Sequence, residues 1–356
     1  MAISKTKSMD ALLTLTADAY YRAGLVHDGV FKSNPTFAAL KAKGTKQQGG
    51  VQIQVNLMYG KNTTVDSVSR YQLIDTAPQD GMEPAFYSWA EYAGSISIDK
   101  LSESQNMGTP QIQKLVREKV MQLTSSYSER MNEDLWDVEY TIAGPVTGNG
   151  GKNLISIPLL INSYPTNAAD VGGIDQSAKS YWQNKAANSA TETTTTWAKL
   201  NQEMRNMYNN VSKGYGGTAD MIICNQGAFE AYETGLDYKV RYTADEVATA
   251  GFESIKFKGA KLFWDEHVPD GEGDGTNGYN WDHASYSDVT GGTMYFINTK
   301  FLDLVTLTGM DFAPEGFQKM PNQLARTCLY GFAGQLVASN RRKLGVLYGI
   351  NSALTA

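Results

Sequence analysis

Three histidines, two cysteines and a few short acidic, basic or glycine-rich runs are the places in this sequence where chemistry could reside. The run WDEHVP, with Asp265, Glu266 and His267, has the residue types of an acid–base pair or a metal site. Read as the end of a strand, it sets Asp265 and His267 on one side and Glu266 on the other, and is expected at the surface. The following loop carries Asp270, Asp274, Asp282 and Asp288, but no Glu closes the twelve-residue frame of a calcium loop. GPVTGNGGKN fails as a phosphate loop, because Val146 stands where the first glycine is required and Asn153 follows Lys152 in place of Ser or Thr. It reads as a turn. No Gly-x-Ser-x-Gly elbow occurs, and Cys224, within the apolar run MIICNQ, reads as a core thiol. Asn62-Thr63-Thr64 matches a glycosylation sequon by pattern only. No catalytic residue, metal or cofactor is expected, and the chain reads as a non-enzyme. Arg341, Arg342 and Lys343 form the one dense basic run. A solvated strand edge is the favoured reading; contact with nucleic acid or a neighbouring subunit is the other.

Composition narrows the function further. Over 356 residues, 42% hydrophobic and 19% charged residues are ordinary for a globular chain and argue against general disorder. A net charge of -6 speaks against a protein that coats nucleic acid, though not against one that encloses it without gripping it. Two cysteines far apart in sequence argue against a disulfide framework and fit a reducing cytosol. The N-terminus has no signal-peptide pattern, and no run approaches the roughly eighteen apolar residues of a membrane span.

The elements that must position any site are legible in outline. The first fifty residues read as an arm with two short helices, one over MDALLTLTADAYYRA and one over NPTFAALKAKG, with Asn34 as cap, Pro35 at the first position and Gly44 as stop. Val51, Ile53, Val55 and Leu57 alternate with polar residues as in a half-buried strand. Its expected partner, AFYSWAEYAGSISID, begins more than twenty-five residues later, an excursion too long for an ordinary connection. A long amphipathic helix follows, roughly from Pro110 to Leu135, with Ile112, Leu115, Val116, Val120, Leu123, Tyr127 and Met131 on one stripe. Then come a short apolar strand (LISIPLLI), a polar stretch, a helix over WAKLNQEMRNMYNNV, a strand and short helix from MIIC, a strand pair in FKGAKLFW and two strand-rich closing runs. The class is α+β.

This order of parts resembles the major capsid proteins of tailed double-stranded-DNA bacteriophages. SWAEYAGSISID followed by SQNMG resembles that family's return strand and approach to its spine helix, and VGGIDQSAKSYWQNKAA resembles the passage that opens the distal domain. GFESIKFKGAKLFWDEHVP, TMYFINTKFLDLV and RRKLGVLYGI resemble its closing strands. The resemblance implies an N-terminal arm (1–50), an extended E-loop hairpin (51–99), a peripheral domain with the spine helix (100–169), an axial domain (170–292) and closing strands of the peripheral domain (293–356). It implies a subunit that self-assembles into hexamers and pentamers, forming an icosahedral shell around packaged DNA in a virion assembled in a bacterial cytoplasm. Val65, Val68, Tyr71, Leu73, Phe86, Tyr87, Trp89 and Lys61 are then the expected intersubunit contacts, because an isolated ribbon has little core of its own in which to bury them. The arm is expected to clasp neighbours. Gly49, Gly50, Gly148, Gly150 and Gly151 are hinge candidates.

The same resemblance implies a portal protein, a possible decoration protein, and DNA enclosed without sequence-specific binding or any membrane. No fused scaffold precedes the arm, so a separate scaffolding protein is expected if the chain is full length; a trimmed N-terminal piece is the other option. Lys61 and Lys100 flank the hairpin, but no acidic catalyst or partner asparagine for a covalent crosslink is identifiable. An encapsulin-type compartment remains the alternative of the same fold. A carbohydrate-binding groove is disfavoured, since the six tryptophans and twenty tyrosines are scattered and no spaced carboxylate pair stands out.

Overall fold

The computed structural model describes residues 35–74, 76–105, 109–141, 144–166, 170–189, 196–236, 255–269, 292–321 and 323–350. The first arm helix, His27, His283 and the acidic loop with Asp270, Asp274, Asp282 and Asp288 lie outside them. Helix α1 (Pro35–Lys43) starts on its proline, as the pattern requires, and Gly44 ends it, where a Cβ would meet the Leu304 carbonyl at 2.7 Å. Four β strands follow: β1 (Thr45–Gln47), β2 (Gln52–Met58), β3 (Met82–Ser88) and β4 (Ala90–Asp99). Helix α2 (Thr109–Trp136) spans 28 residues, a rod of roughly 40 Å at 1.5 Å per residue.

Val116, Val120, Tyr127, Met131 and Leu135 are buried along α2 as the periodicity predicts. The same side also carries buried Thr124, Ser128, Asn132 and Asp134, each of which needs a partner inside. Tyr92 donates to Asp134 Oδ2 at 2.7 Å and accepts from the Leu154 amide, while Asn153 donates to Asp134 Oδ1 at 2.9 Å. Burial holds the Asp134 carboxyl above the usual carboxylate range. The helix lies directly on β4: a Cβ on Gly94 would sit 2.8 Å from both Leu123 and Tyr127.

Strands β5 (Val138–Thr141) and β6 (Gly144–Thr147) form a small hairpin, and a turn with Asn149, Gly150 and Gly151 at positive φ follows. LISIPLLI, expected as a strand, instead holds a single buried helical turn, Ile157–Leu160; Pro158 would remove a ladder donor but fits the first turn of a helix. Next come β7 (Asp170–Val171), β8 (Ile174–Asp175), β9 (Lys185–Asn188), helix α3 (Trp197–Ser212), β10 (Met221–Cys224) and helix α4 (Gln226–Leu236). The remainder is β11 (Ile255–Phe257), β12 (Ala260–Trp264), β13 (Gly292–Ile297), β14 (Leu302–Lys319), β15 (Ala325–Ala338) and β16 (Gly345–Ile350).

Two larger sheets organise these strands. One has the order β1-β14-β15-β4, and the other β11-β12-β10-β13-β16-β9. The second is a wall between two cores. Alternating side chains send Met221, Ile223, Tyr295, Ile297, Val346 and Tyr348 to the α2 side. Ile222, Cys224, Met294, Phe296, Leu347 and Ile350 face α3 and α4 on the other side. Strands β13 and β16, from the expected closing region, share this sheet with β10 and β12 of the expected axial region. Sheet membership is set by long-range pairing, which no local pattern encodes.

Candidate assembly interface

The anticipated hairpin exists, but in two parts with different fates. Strands β2 and β3 pair antiparallel from Gln52↔Ser88 to Met58↔Met82. The return segment breaks at Trp89, and β4 leaves the ribbon to pair with β15 in the first sheet. One face of the ribbon is folded onto the chain itself. Ile53, Leu57, Ala85 and Tyr87 are buried, Tyr87 Oη donates to the Ala338 carbonyl at 3.0 Å, and the Phe86 amide donates to Gly172 O at 3.0 Å. Gly172, with φ of 64°, is needed there: a Cβ would approach the Ala85 methyl at 3.1 Å and the Tyr87 ring at 3.2 Å. Tyr59 stacks on Tyr181 at 4.3 Å, and the Tyr181 hydroxyl donates to Glu83.

Tyr87 is thus corrected from an intersubunit contact to a core residue, 1% exposed, whose hydroxyl burial holds above its ordinary range. Trp89 is half-buried against the same core and donates its indole N–H to Gly50 O at 2.8 Å. Segment 170–182, through Val171, Ile174 and Trp182, supplies the ribbon with a core that lies far away in sequence.

Beyond the ribbon the chain is pinched and then released. The amides of Tyr59 and Gly60 both donate to Gly81 O, and a Cβ on Gly60 would lie 2.9 Å from Gly81 Cα, so two glycines close a neck. Between them, residues 61–80 form a loop without a strand ladder, tied across by Thr63 to Gln79 at 2.7 Å. Val65 (81% exposed), Val68, Tyr71, Leu73 (94% exposed) and Ile74 all face solvent there, and Lys61 is exposed beside them. Phe86, Met58 and Met82 are exposed on the outer face of the ribbon. Met58, Met82 and Ile74 were missed in the sequence, although the strand alternation that buries Leu57 also exposes Met58. Leu101 and Leu324 are also exposed, at the end of the first sheet where the Lys100 amide donates to Leu324 O at 2.8 Å, and Leu329 is exposed further along β15.

The described part of the arm does not reach outward. Phe37 and Leu40 of α1 are buried, β1 pairs in parallel with β14, and Thr36 donates to Asp265. Lys41 and Lys46 both pair with Asp311, with Lys41 also over the rings of Phe312 and Phe332. Burial pulls the Lys41 ammonium below its usual range; for Asp311, burial acts upward but the two lysines prevail and hold the carboxyl below its range. Of the expected clasp, residues 35–47 are tied to their own chain through α1 and β1, and residues 1–34 lie outside the described residues.

Two chemical readings are corrected as well. Asp265 is not at the surface; it is 3% exposed and accepts from Thr36, from Asn132 Nδ2 at 2.9 Å and from the His267 amide. Arg341 and Lys343 are not a solvated edge. Arg341 is fully buried and donates to the carbonyls of Leu160 and Trp182 and to Gln176 and Asn184, and burial pulls its pKa down to about 10. Among the described residues no group of three His, Cys, Asp or Glu side chains is placed to hold a metal. Cys224 is buried, and burial pushes its thiol far up.

No family profile and no curated protein matches the sequence. Solved structures do match the fold. The Cyanophage A-1(L) capsid asymmetric unit aligns at TM-score 0.59 and 15% identity, covering 89% of this chain and 92% of that one. The holo-SrpI encapsulin complex of Synechococcus elongatus PCC 7942 aligns at 0.51 and 11%, covering 89% of each. The capsid of an empty GTA particle aligns at 0.51 and 9%, covering 88% and 90%. The α+β chain has the shell-protein fold that phage capsids and encapsulins share, over nearly its whole described length.

Proposed function

We propose that this chain is the major capsid protein of a tailed double-stranded-DNA phage, assembling as hexamers and pentamers into an icosahedral head. The observation that carries the reading is the necked loop beyond the ribbon, whose Val65, Val68, Tyr71, Leu73 and Ile74 are exposed while one face of the ribbon itself is buried on its own chain. Fully burying side chains of this kind is worth about 1.5–3 kcal/mol each, and five large apolar side chains exposed within one short loop suit an interaction site. A neighbouring copy is the natural cover, because a closed shell engages every subunit at several modest interfaces at once.

In this reading Val65, Val68, Tyr71, Leu73, Phe86 and Lys61 touch the next subunit, and the glycines at 49, 50, 148, 150 and 151 let one sequence fit both ring types. A scaffolding protein, a portal protein and a decoration protein are its partners, with assembly in a bacterial cytoplasm and no membrane contact. The second reading is an encapsulin-type compartment, favoured by the fold match to such a shell. Particle content separates the two: nucleic acid for the first, protein cargo for the second.

The test is Val65→Ser, Val68→Ser, Leu73→Ser and Ile74→Ser in one chain. Assembly should be lost while the monomer melts within about 3 °C of the wild type, because exposed substitutions cost little in the isolated fold. Shells formed as readily by this variant would remove the loop from the interface.

A further inference from the structure

The buried basic pair Arg341 and Lys343 brackets a residue that points the other way. Arg342 is exposed on a short turn whose cap, the Asn340 side chain, accepts from the Arg342 amide at 3.2 Å. On one side of this turn, Lys343 Nζ donates to the carbonyls of Ser212, Gly214 and Gly217 at 3.1–3.4 Å. That grip closes the C-terminal end of α3 and fixes the loop that carries exposed Lys213. On the other side, the Lys185 amide donates to Leu344 O at 3.0 Å, and β9 runs parallel to β16 from the pair Lys185↔Gly345. Three cations from three elements therefore meet at one corner of the molecule.

Lys213 Nζ donates to the Asn210 amide oxygen at 2.8 Å, and among the described residues none of the three forms an ion pair with a carboxylate. Lys185 is held below its usual range by burial and by the charges of Arg342 and Lys213. Exposed Tyr215 stands on the same loop with Lys300 Nζ 5.5 Å from its ring, so a fourth cation and an aromatic face adjoin the corner. In a chain with 37 acidic and 31 basic residues, these cations, standing on buried Arg341 and Lys343 and without an ion-pair partner among the described residues, make a local excess of positive charge.

We propose that Lys185, Lys213 and Arg342 form a docking site for the phosphate backbone of double-stranded DNA. Phosphate binding needs fixed point charges and little else. An acidic protein segment would draw its affinity from buried apolar anchors, and the corner offers only Tyr215. The proposal rests on the shell reading for the identity of the nucleic acid, but the binding belongs to the single chain and is tested without assembly.

The experiment measures binding of a fluorescent 30-base-pair duplex to the unassembled full chain by anisotropy across a salt series. Three phosphate contacts predict a slope of about -2.7 in log affinity against log salt, a loss of roughly 40-fold between 50 and 200 mM. Lys185→Gln, Lys213→Gln and Arg342→Gln together should abolish measurable binding, each alone should reduce the slope by about one contact, and Lys152→Gln at the remote turn should change nothing. No binding, binding unchanged in the triple variant, or displacement by poly-glutamate as effective per charge as by duplex would overturn the proposal. Shells that form in electron micrographs from a chain that fails to bind duplex would leave the shell reading intact; duplex binding by a chain that never assembles would do the reverse.

Discussion

At the scale of single residues, this chain spends its buried charge on holding distant segments together. Arg341 gathers carbonyl oxygens from segments near 160 and 182 beneath the ribbon, so its loss leaves several acceptors unpaired at once. Arg341→Met should cost roughly 3 kcal/mol or more by denaturant titration, against less than about 0.5 kcal/mol for Arg342→Met on the exposed side of the same turn. Asp311 sets a pH dependence with a definite sign. Its folded-state carboxyl lies below the usual range, so its contribution is present above the unfolded value near 3.8 and is lost as the pH falls through the folded value. Asp311→Asn should therefore lower the melting temperature at pH 7 and flatten its decline below about pH 4. An unchanged acid limb in the variant would place that pH dependence elsewhere.

At the scale of elements, the ribbon is latched and its loop is free. Gly172→Ala forces a Cβ against Ala85 and Tyr87 and requires φ of 64° from a non-glycine residue. Hydrogen exchange should then rise in β2 and β3 while the β14–β15 ladder stays protected; equal loosening of both would mean the ribbon is not a separate unit. Elements with a strong local signature were legible in the sequence: α1 from its Pro35 start and Gly44 stop, α2 within one residue at each end, α3 from its apolar stripe, and β2 from its alternation. What local patterns cannot carry was misread. Tyr87 was assigned outward because its cover comes from segment 170–182; Asp265 and Arg341 looked superficial because their partners lie 133 and 181 residues away along the chain. The exposure of Val65, Val68, Tyr71 and Leu73 agrees with their lack of a local core, but the expected hairpin over 51–99 is a ladder only from Gln52 to Met58 and Met82 to Ser88, with a loop beyond it.

At the scale of the molecule, the six-stranded wall joins strands from the expected axial and closing regions in one sheet, and both cores share the strands β10, β13 and β16. The proposed shell reading places contacts with neighbours at the exposed apolar side chains of the ribbon loop. The claim that stands above the others is that this chain closes into a shell through that loop. It is tested most directly by sedimentation and negative-stain electron microscopy of the purified chain, alone and with its neighbouring gene products. Closed shells, tubes or rings of five and six are the predicted result. A monodisperse monomer under all conditions, with residues 61–80 resistant to protease, would contradict it.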